Sequence, residues 1–170
     1  MKNPIPPIVH SLNALSHVLD KAQAHCAENM IDPAALLTAR LFPDMFTCTR
    51  NIIVSCDTAK GMAARLAGIE NPAFEDNEST FEELQARIAK TLDFLATVPA
   101  DAFEDADERE VVLQTARGEF RFTGASYLVT HGIPNFYFHM TTTYNILRHN
   151  GVPLGKIDFL RGKGQANQWN

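Results

Sequence analysis

Apolar residues recur at alternating intervals of three and four along several long segments of this sequence. The clearest series, near the N-terminus, is Leu12, Leu15, Leu19, Ala22 and Cys26. Because an α-helix turns once in about 3.6 residues, this spacing lines these side chains along one helix face. A segment of this kind has to bury its apolar face against other helices. The pattern therefore predicts an all-α chain built as a helix bundle.

The first two helices are bounded by prolines and a glycine. We predict helix one from about Ile8 to Asn29 and helix two from Pro43 to Ala67. Proline fits the first turn of a helix because its missing N–H needs no partner there. Gly68 fits the end of helix two because glycine readily adopts left-handed backbone.

The third helix and the segment after it carry different signals. Helix three begins within ESTFEEL, where Ser79 or Thr80 has a glutamate three residues later and forms a capping box, and Pro99 ends it. Residues 109–123 contain two short runs around ARG, which predict a β-hairpin with Gly118 in its turn. The following GASYLVTHG is predicted to form a short helix.

Helix four is predicted within PNFYFHMTTTYNILRHNGVPLG. Pro134 occupies its first helical position, and Gly151 is placed for a left-handed cap at its end. Four helices of this length with moderate connections form a bundle, so we predict a single domain over residues 1–162. The remaining residues 163–170 are predicted to be a polar C-terminal tail.

Composition excludes several classes of protein. The formal net charge of −5 is unsuited to a nucleic-acid partner, which requires a basic surface. No apolar run approaches the roughly 20 residues of a membrane span, and prolines interrupt the N-terminus where a signal peptide has a continuous apolar block. The sequence thus predicts a cytoplasmic protein. Cys26, Cys48 and Cys56 are then expected to be buried free thiols.

Histidine spacing limits the metal sites that this chain can form. A helical metal site usually uses two histidines four residues apart, and the sequence has no such pair. His10 and His17 lie on one face but about 10 Å apart along the axis, too far to share one ion. A site would therefore need His139 of helix four, together with His17 or His10 of helix one and Asp57 of helix two.

His139 and its neighbours have two interpretations each. His139 is either a metal ligand or a core histidine bonded to a neighbouring hydroxyl or carboxylate, and the second is simpler because a metal site needs three ligands. Asp57, at the border of an apolar stripe, is either a solvent-edge carboxylate or the partner of a basic group or a metal. Thr142 and Thr143, one turn after His139, either orient its ring or fill a close helix–helix contact.

Four stretches of the sequence resemble a known bacterial family. LFPDMF, AKGMAARLAG, FTGASYL and above all PNFYFHMTTTYNILRHNGVPLGKIDFL resemble DUF1993, which belongs to the DinB/YfiT-like metalloenzyme superfamily. The resemblance covers nearly the whole chain. It implies a four-helix bundle of up-down-down-up topology with a long crossover between helices two and three. It also implies metal-dependent hydrolase or thiol-dependent transferase activity, often in a dimer, with a nickel or zinc ion held by three histidines.

The ligand positions of the superfamily carry over through the last helix. Its H-x-x-x-H motif, registered on the LRHNG ending, places the second histidine on His139 and the first on Asn135. The third position falls near residues 51–53, where no histidine occurs. The resemblance therefore implies one of three ligands, and an amide oxygen is a poor ligand for zinc or nickel compared with imidazole.

Two functional hypotheses follow. The first is a homodimeric binding or interaction module, able to take a small-molecule ligand, with a degenerate metal site and His139 as an internal polar group. The second is a hydrolase or thiol-dependent transferase that uses a divalent nickel or zinc ion at a rearranged site of His139, His17 and Asp57. The residues expected to line that site are Asn135, Thr142, Thr143 and His10. Metal content and the contacts of the His139 ring discriminate between the two.

Overall fold

The computed structural model of the protein describes residues 1–115 and 117–162, which form long helices and one small hairpin. The elements in chain order are α1 (Ile5–Asn29), α2 (Pro33–Leu37), α3 (Cys48–Ala67), α4 (Phe81–Thr97), a 3₁₀ turn (Ala100–Phe103), β1 (Glu110–Thr115), β2 (Gly118–Thr123), α5 (Gly124–Tyr127), a π-helical turn (Leu128–Gly132), α6 (Ile133–His149) and α7 (Lys156–Arg161). The helices α1, α3, α4 and α6 form the bundle, and their apolar faces share one buried core.

Side-chain contacts between the long helices fix their directions. Ser16 and Gln23 of α1 contact Gln85 and Glu82 of α4 in reverse order, so these two helices are antiparallel. α3 and α6 are antiparallel neighbours as well, since Asn51 contacts His139 and Thr58 contacts the earlier Asn135. α3 and α4 run parallel, as in the predicted topology, and are joined by the long crossover of residues 68–80. The predicted all-α class, a DinB-like up-down-down-up four-helix bundle with a short hairpin, is therefore confirmed.

The start of the second long helix differs from the prediction. α3 begins at Cys48 rather than Pro43, because the Thr47 hydroxyl caps it by accepting a hydrogen bond of 3.2 Å from the Arg50 N–H. Pro43 lies instead in a turn whose carbonyl accepts from the Arg40 guanidinium. A threonine cap with suitable geometry thus outweighs the proline signal. The apolar spacing also gives no sign of the short helix α2.

Two other local predictions are confirmed. α4 begins with a capping box, in which the Thr80 hydroxyl accepts from the Glu83 N–H at 3.2 Å and the Glu83 carboxylate accepts from the Thr80 N–H at 3.0 Å. The hairpin pairs Val111 with Phe122 in an antiparallel register. Gly118 follows the turn with a φ of 119°, a backbone conformation that favours glycine.

The last long helix begins before Pro134 and contains a π-helical turn. The helical backbone of α5 continues through that turn into α6, and the Ile133 N–H donates to the Leu128 carbonyl five residues earlier. Pro134 cannot donate, and in an α-helix its ring would clash with the carbonyl four residues earlier, so a wider turn before it relieves the conflict. The turn approaches α3 closely, since a Cβ on Gly132 would lie 2.8 Å from Met62 Sδ.

The end of α6 follows the prediction. Gly151 has a φ of 91°, the left-handed backbone expected of a glycine cap, and α7 then packs against α1. The predicted tail, residues 163–170, lies outside the described residues, and the domain boundary at residue 162 stays a prediction. Within residues 1–115 and 117–162, no helix is both long and apolar enough to cross a bilayer.

Candidate functional site

Two buried polar side chains bond to each other between α3 and α6, where the family resemblance predicts metal ligands. His139 Nδ1 lies 2.8 Å from Asn51 Oδ1. The Asn51 amide NH₂ donates to the Phe46 and Thr47 carbonyls at 3.1 and 2.9 Å, which identifies Oδ1 as the atom that faces the ring. An amide oxygen only accepts hydrogen bonds. Nδ1 of His139 therefore carries the proton, and the neutral ring keeps its lone pair on Nε2.

The surroundings of His139 favour its neutral form. The residue is 8% exposed, and the Phe46 ring stacks on the imidazole with centroids 5.9 Å apart. Burial lowers the pKa of His139 from 6.5, and the positive charge of Arg50 lowers it further. The Arg50 guanidinium lies 5.8 Å from the centroid of the same Phe46 ring. The His139–Asn51 pair is thus a buried neutral contact beside a cation.

The two threonines after His139 do not touch its ring. The Thr142 and Thr143 hydroxyls donate to main-chain carbonyls one turn earlier, at 2.7 and 3.0 Å. Both side chains are buried. Of their two interpretations, the close helix–helix contact fits and the orienting role is wrong. The amide of Asn51, rather than a hydroxyl or carboxylate, orients the ring.

The histidines of α1 face the C-terminal helix instead of His139. His17 Nε2 donates to Asp158 Oδ1 at 3.0 Å, and His10 Nε2 donates to the Leu160 carbonyl at 2.6 Å. Asp158 also bonds Lys21, with 3.0 Å between Oδ2 and Nζ. These contacts hold α7 against α1, so His10 and His17 have structural roles at that interface.

Asp57 is the partner of basic groups. Of its two interpretations, this agrees with the one that made it the partner of a basic group or a metal. Its Oδ1 accepts from Arg87 at 2.8 Å and lies 3.3 Å from Lys60 Nζ. The buried Arg87 guanidinium also pairs with Asp76 and Glu78 at 3.0 and 2.7 Å. Sequence reasoning missed Arg87. Its only signal is a charged residue within the apolar face of α4, where an unpaired cation would be unfavourable.

The side chains at the positions where the family resemblance implies metal ligands do not fit a zinc or nickel ion. Only His139 offers an imidazole, whereas Asn51 and Asn135 offer amides, which these ions bind less well. In the part of the chain that the structure describes, no three His, Cys, Asp or Glu side chains are placed to hold a metal ion. The structure therefore does not bring His139, His17 and Asp57 together. The guanidinium beside Phe46 also repels a second positive charge.

A cavity of about 230 Å³ lies beside Asn135, between α3, the α5–α6 segment and β1. In its wall, Asn135 Nδ2 donates to Thr58 Oγ1 at 3.0 Å. Arg65 Nη1 donates to the phenolic oxygen of Tyr127 at 3.3 Å. Burial raises the pKa of Tyr127, against the opposing charge of Arg65, so the phenol stays protonated. The cavity thus presents a guanidinium, a phenol, a hydroxyl and an amide to one space.

His131 separates this cavity from an apolar cleft of about 400 Å³ beside the hairpin. Its ring stacks on Tyr127 with centroids 5.6 Å apart and lies 5.9 Å from Phe122. Burial lowers the pKa of His131, and the charge of Arg65 lowers it further. Neither ring nitrogen has a hydrogen-bond partner among the described residues. The spacing of Tyr127 and His131, four residues apart, is the sequence signal that could have indicated this aromatic wall.

The fold and the positions of these side chains define a DinB-like helical bundle. The chain is similar to the crystal structure of a DinB family member from Shewanella denitrificans, with a TM-score of 0.85 and 36% identity over 96% of this chain and 91% of that chain. The model of DUF1993, a domain of unknown function, matches residues 2–160, and the chain belongs to this family. No curated protein matches the chain significantly.

Proposed function

We propose that this protein is a cytoplasmic DinB-like binding or interaction module that works without the metal ion of its superfamily. The observation that best supports this role is the hydrogen bond between His139 and Asn51. It engages His139 with a residue of the segment 51–53, near which the resemblance implies another ligand, and Asn135 at the remaining implied position bonds Thr58. An amide that is already hydrogen-bonded in this way is a weak competitor for zinc or nickel.

Metal analysis of protein purified without a histidine tag tests this proposal. We expect substoichiometric nickel and zinc in the wild-type protein. Restoring imidazoles with Asn51→His and Asn135→His should create stoichiometric zinc binding, because His139 would then complete a three-histidine set. His139→Ala in that double variant should abolish it. A stoichiometric ion in the wild-type protein that is lost on His139→Ala would overturn the proposal and favour the metal-dependent enzyme.

We propose further that the module is a homodimer formed across the aromatic side chains that surround His139. Phe46 is 49% exposed and Phe138 is 57% exposed, and both rings contact the imidazole, so they lie on one surface. Phe42, in the same loop as Phe46, is 63% exposed. Neighbouring exposed aromatic side chains are typical of interfaces between protein chains.

Light scattering after size-exclusion chromatography tests the dimer. The wild-type protein should have twice the mass of one chain at micromolar concentration, and Phe138→Ser should shift it toward the monomer. Ile157→Ser is the control, because Ile157 is similarly exposed, at 56%, but belongs to α7, which packs against α1. A monomeric wild-type protein, or equal effects of the two variants, would contradict the proposed interface.

A further inference from the structure

We infer that the cavity beside Asn135 and the adjoining apolar cleft form one binding site for a small carboxylic acid with an aromatic or aliphatic tail. The two spaces, of about 230 and 400 Å³, share the side chains of Leu113, Thr115 and His131. A ligand can therefore place a polar head in one and an apolar tail in the other. This inference deepens the binding role proposed above and rests on it.

Arg65 supplies the charge that selects an anion. Its guanidinium is partly buried in the wall of the cavity and has no carboxylate partner within the described part of the chain. The attraction between an anion and a partly desolvated cation of this kind is stronger than that between an anion and a fully hydrated cation. A carboxylate matches a guanidinium because two N–H groups can donate to its two oxygens in parallel.

Two features of the fold hold the Arg65 guanidinium in place. Its Nη1 donates to the phenolic oxygen of Tyr127 at 3.3 Å. Gly61, one turn earlier on α3, leaves the space that the guanidinium occupies, since a Cβ there would overlap Arg65 Nη1. Because the Tyr127 oxygen accepts from Arg65, its own hydrogen is available to donate to a bound carboxylate.

The carboxylate that lines the same cavity does not oppose an anion. Asp57 is neutralised by Arg87 at 2.8 Å and by Lys60 at 3.3 Å. It also lies eight residues before Arg65 on α3, which is about 12 Å along the helix axis. The neutral His131 ring adds a donor and an acceptor without adding charge. The head of the cavity is therefore locally positive at Arg65.

The cleft beside the hairpin determines which apolar tail the ligand can carry. Its walls are mainly apolar, with Leu113 of β1 and the Phe120 and Phe122 rings of β2, and they also include the exposed Arg117. A volume of about 400 Å³ suits a phenyl ring or a short alkyl chain rather than a long lipid. His131 lies between tail and head, where its ring can stack against an aromatic tail.

Isothermal titration calorimetry with 3-phenylpropionate, and with 3-phenylpropan-1-ol as its uncharged match, tests this inference. We expect the acid to bind at least about tenfold more tightly than the alcohol, because only the acid pairs with Arg65. Arg65→Gln should abolish this preference, and Tyr127→Phe should reduce it. Arg121→Gln is the control, since it removes an equal charge from the exposed side of the hairpin and should leave both affinities unchanged.

Gly61→Ala tests whether the Arg65 guanidinium must occupy its observed position, because this variant keeps the guanidinium but moves it. The added methyl group should displace Arg65, while alanine favours a helix more than glycine does. We expect the affinity for the acid to fall to that for the alcohol, with a thermal midpoint that is unchanged or higher. A Gly61→Ala protein that unfolds leaves the test to Arg65→Gln and Tyr127→Phe, which change no backbone preference of this kind.

Equal affinities for acid and alcohol, acid binding that survives Arg65→Gln, or no acid binding to the wild-type protein would each overturn the inference. These outcomes differ from those of the metal analysis. A zinc-loaded protein that binds the acid through Arg65 would contradict only the metal-free role. A metal-free protein that does not distinguish acid from alcohol would contradict only the ligand class.

Discussion

His139 Nδ1 donates a hydrogen bond of 2.8 Å to Asn51 Oδ1 across the contact of α3 with α6. Asn51 is 1% exposed and His139 is 8% exposed, so water cannot readily replace either partner. The bond therefore links two bundle helices through groups that would both be unfavourable if left unpaired. A neutral buried pair of this kind contributes chiefly to stability and to the fixed orientation of the ring.

Removal of either partner should destabilise the bundle. His139→Ala leaves Asn51 Oδ1 without its donor, and we expect the free energy of unfolding to fall by about 2–3 kcal/mol. Asn51→Ala should have a similar effect, and the double variant should lose less than the sum because the two losses share one bond. Urea denaturation measures this coupling. Asn145→Ala, exposed on the same helix, should change stability by less than about 0.5 kcal/mol. Strictly additive losses would contradict the prediction.

Stability should fall as the pH drops below about 6.5. Burial, and then the charge of Arg50, lower the pKa of His139 in the folded protein from 6.5. The unfolded chain therefore binds a proton at a pH where the folded protein does not, and stability is lost as the pH falls from 6.5 toward the folded pKa. The pKa of His131, lowered by burial and by Arg65, acts in the same direction. Denaturation at about pH 7.5 and 5.5 measures the loss.

The control for this pH dependence is His139→Gln, which removes one of the two imidazole rings whose pKa is lowered in the folded protein. Its stability should change less between the two pH values than that of the wild-type protein, although the remaining change from His131 should persist. If His139→Gln has the same pH dependence of stability as the wild-type protein, the ionisation of His139 does not contribute to that dependence.

The architecture is largely predictable from the sequence because its signals are local. The three-and-four spacing requires one buried face per helix, and the Thr80–Glu83 capping box fixes a helix start within four residues of chain. The wrong start at Pro43 arises where two local signals compete, a proline suited to a first turn and the Thr47 hydroxyl that caps α3 at Arg50. The π-helical turn is likewise invisible to apolar spacing, because it relieves the conflict of the Pro134 ring with the helical backbone and places no apolar side chain.

The candidate site is predictable only where the family motif has a fixed spacing. The register of H-x-x-x-H identifies Asn135 and His139, whereas the family resemblance locates the third position only near residues 51–53. Arg65 and Tyr127 are 62 residues apart, and no spacing rule relates them. Their contact exists because α5 and the π-helical turn pack against α3, and the sequence alone cannot give that arrangement.

Asp158 should anchor α7 to α1 through His17 and Lys21, each 3.0 Å away. Burial opposes its ionisation, but the Gly155 N–H, Lys21 and His17 outweigh that effect and lower the pKa of Asp158 from 3.8. Its contribution is therefore present above about pH 3.8 and is lost as the pH falls through the folded pKa. At neutral pH, Asp158→Asn should speed hydrogen exchange of the α7 amides but not of the α3 amides. Asp93→Asn, exposed on α4, is the control, and equal α7 exchange in both variants would refute the anchoring role.

Removal of the Arg87 charge should destabilise the protein more than removal of Asp158. Its side chain is 1% exposed and pairs with Asp57, Asp76 and Glu78 at 2.8, 3.0 and 2.7 Å. Arg87→Met should lower the free energy of unfolding by about 3–5 kcal/mol, because breaking a buried ion pair leaves an uncompensated charge. The carboxylate that suffers most from the loss of Arg87 is Glu78, because its side chain is only 10% exposed. Arg148→Met, at an exposed position of α6, should stay within about 0.5 kcal/mol of the wild type in the same urea titration.

Substitution of Glu78 in two backgrounds tests whether the unpaired carboxylate causes that loss. In the wild-type protein, Glu78→Gln should destabilise, because it weakens the 2.7 Å pair with Arg87. In Arg87→Met, the same substitution should restore part of the lost stability, because it removes a buried negative charge that has no cation. Opposite signs in the two backgrounds would identify electrostatics as the cause. Equal destabilisation in both would instead assign the loss to the packing of the Arg87 side chain against its neighbours.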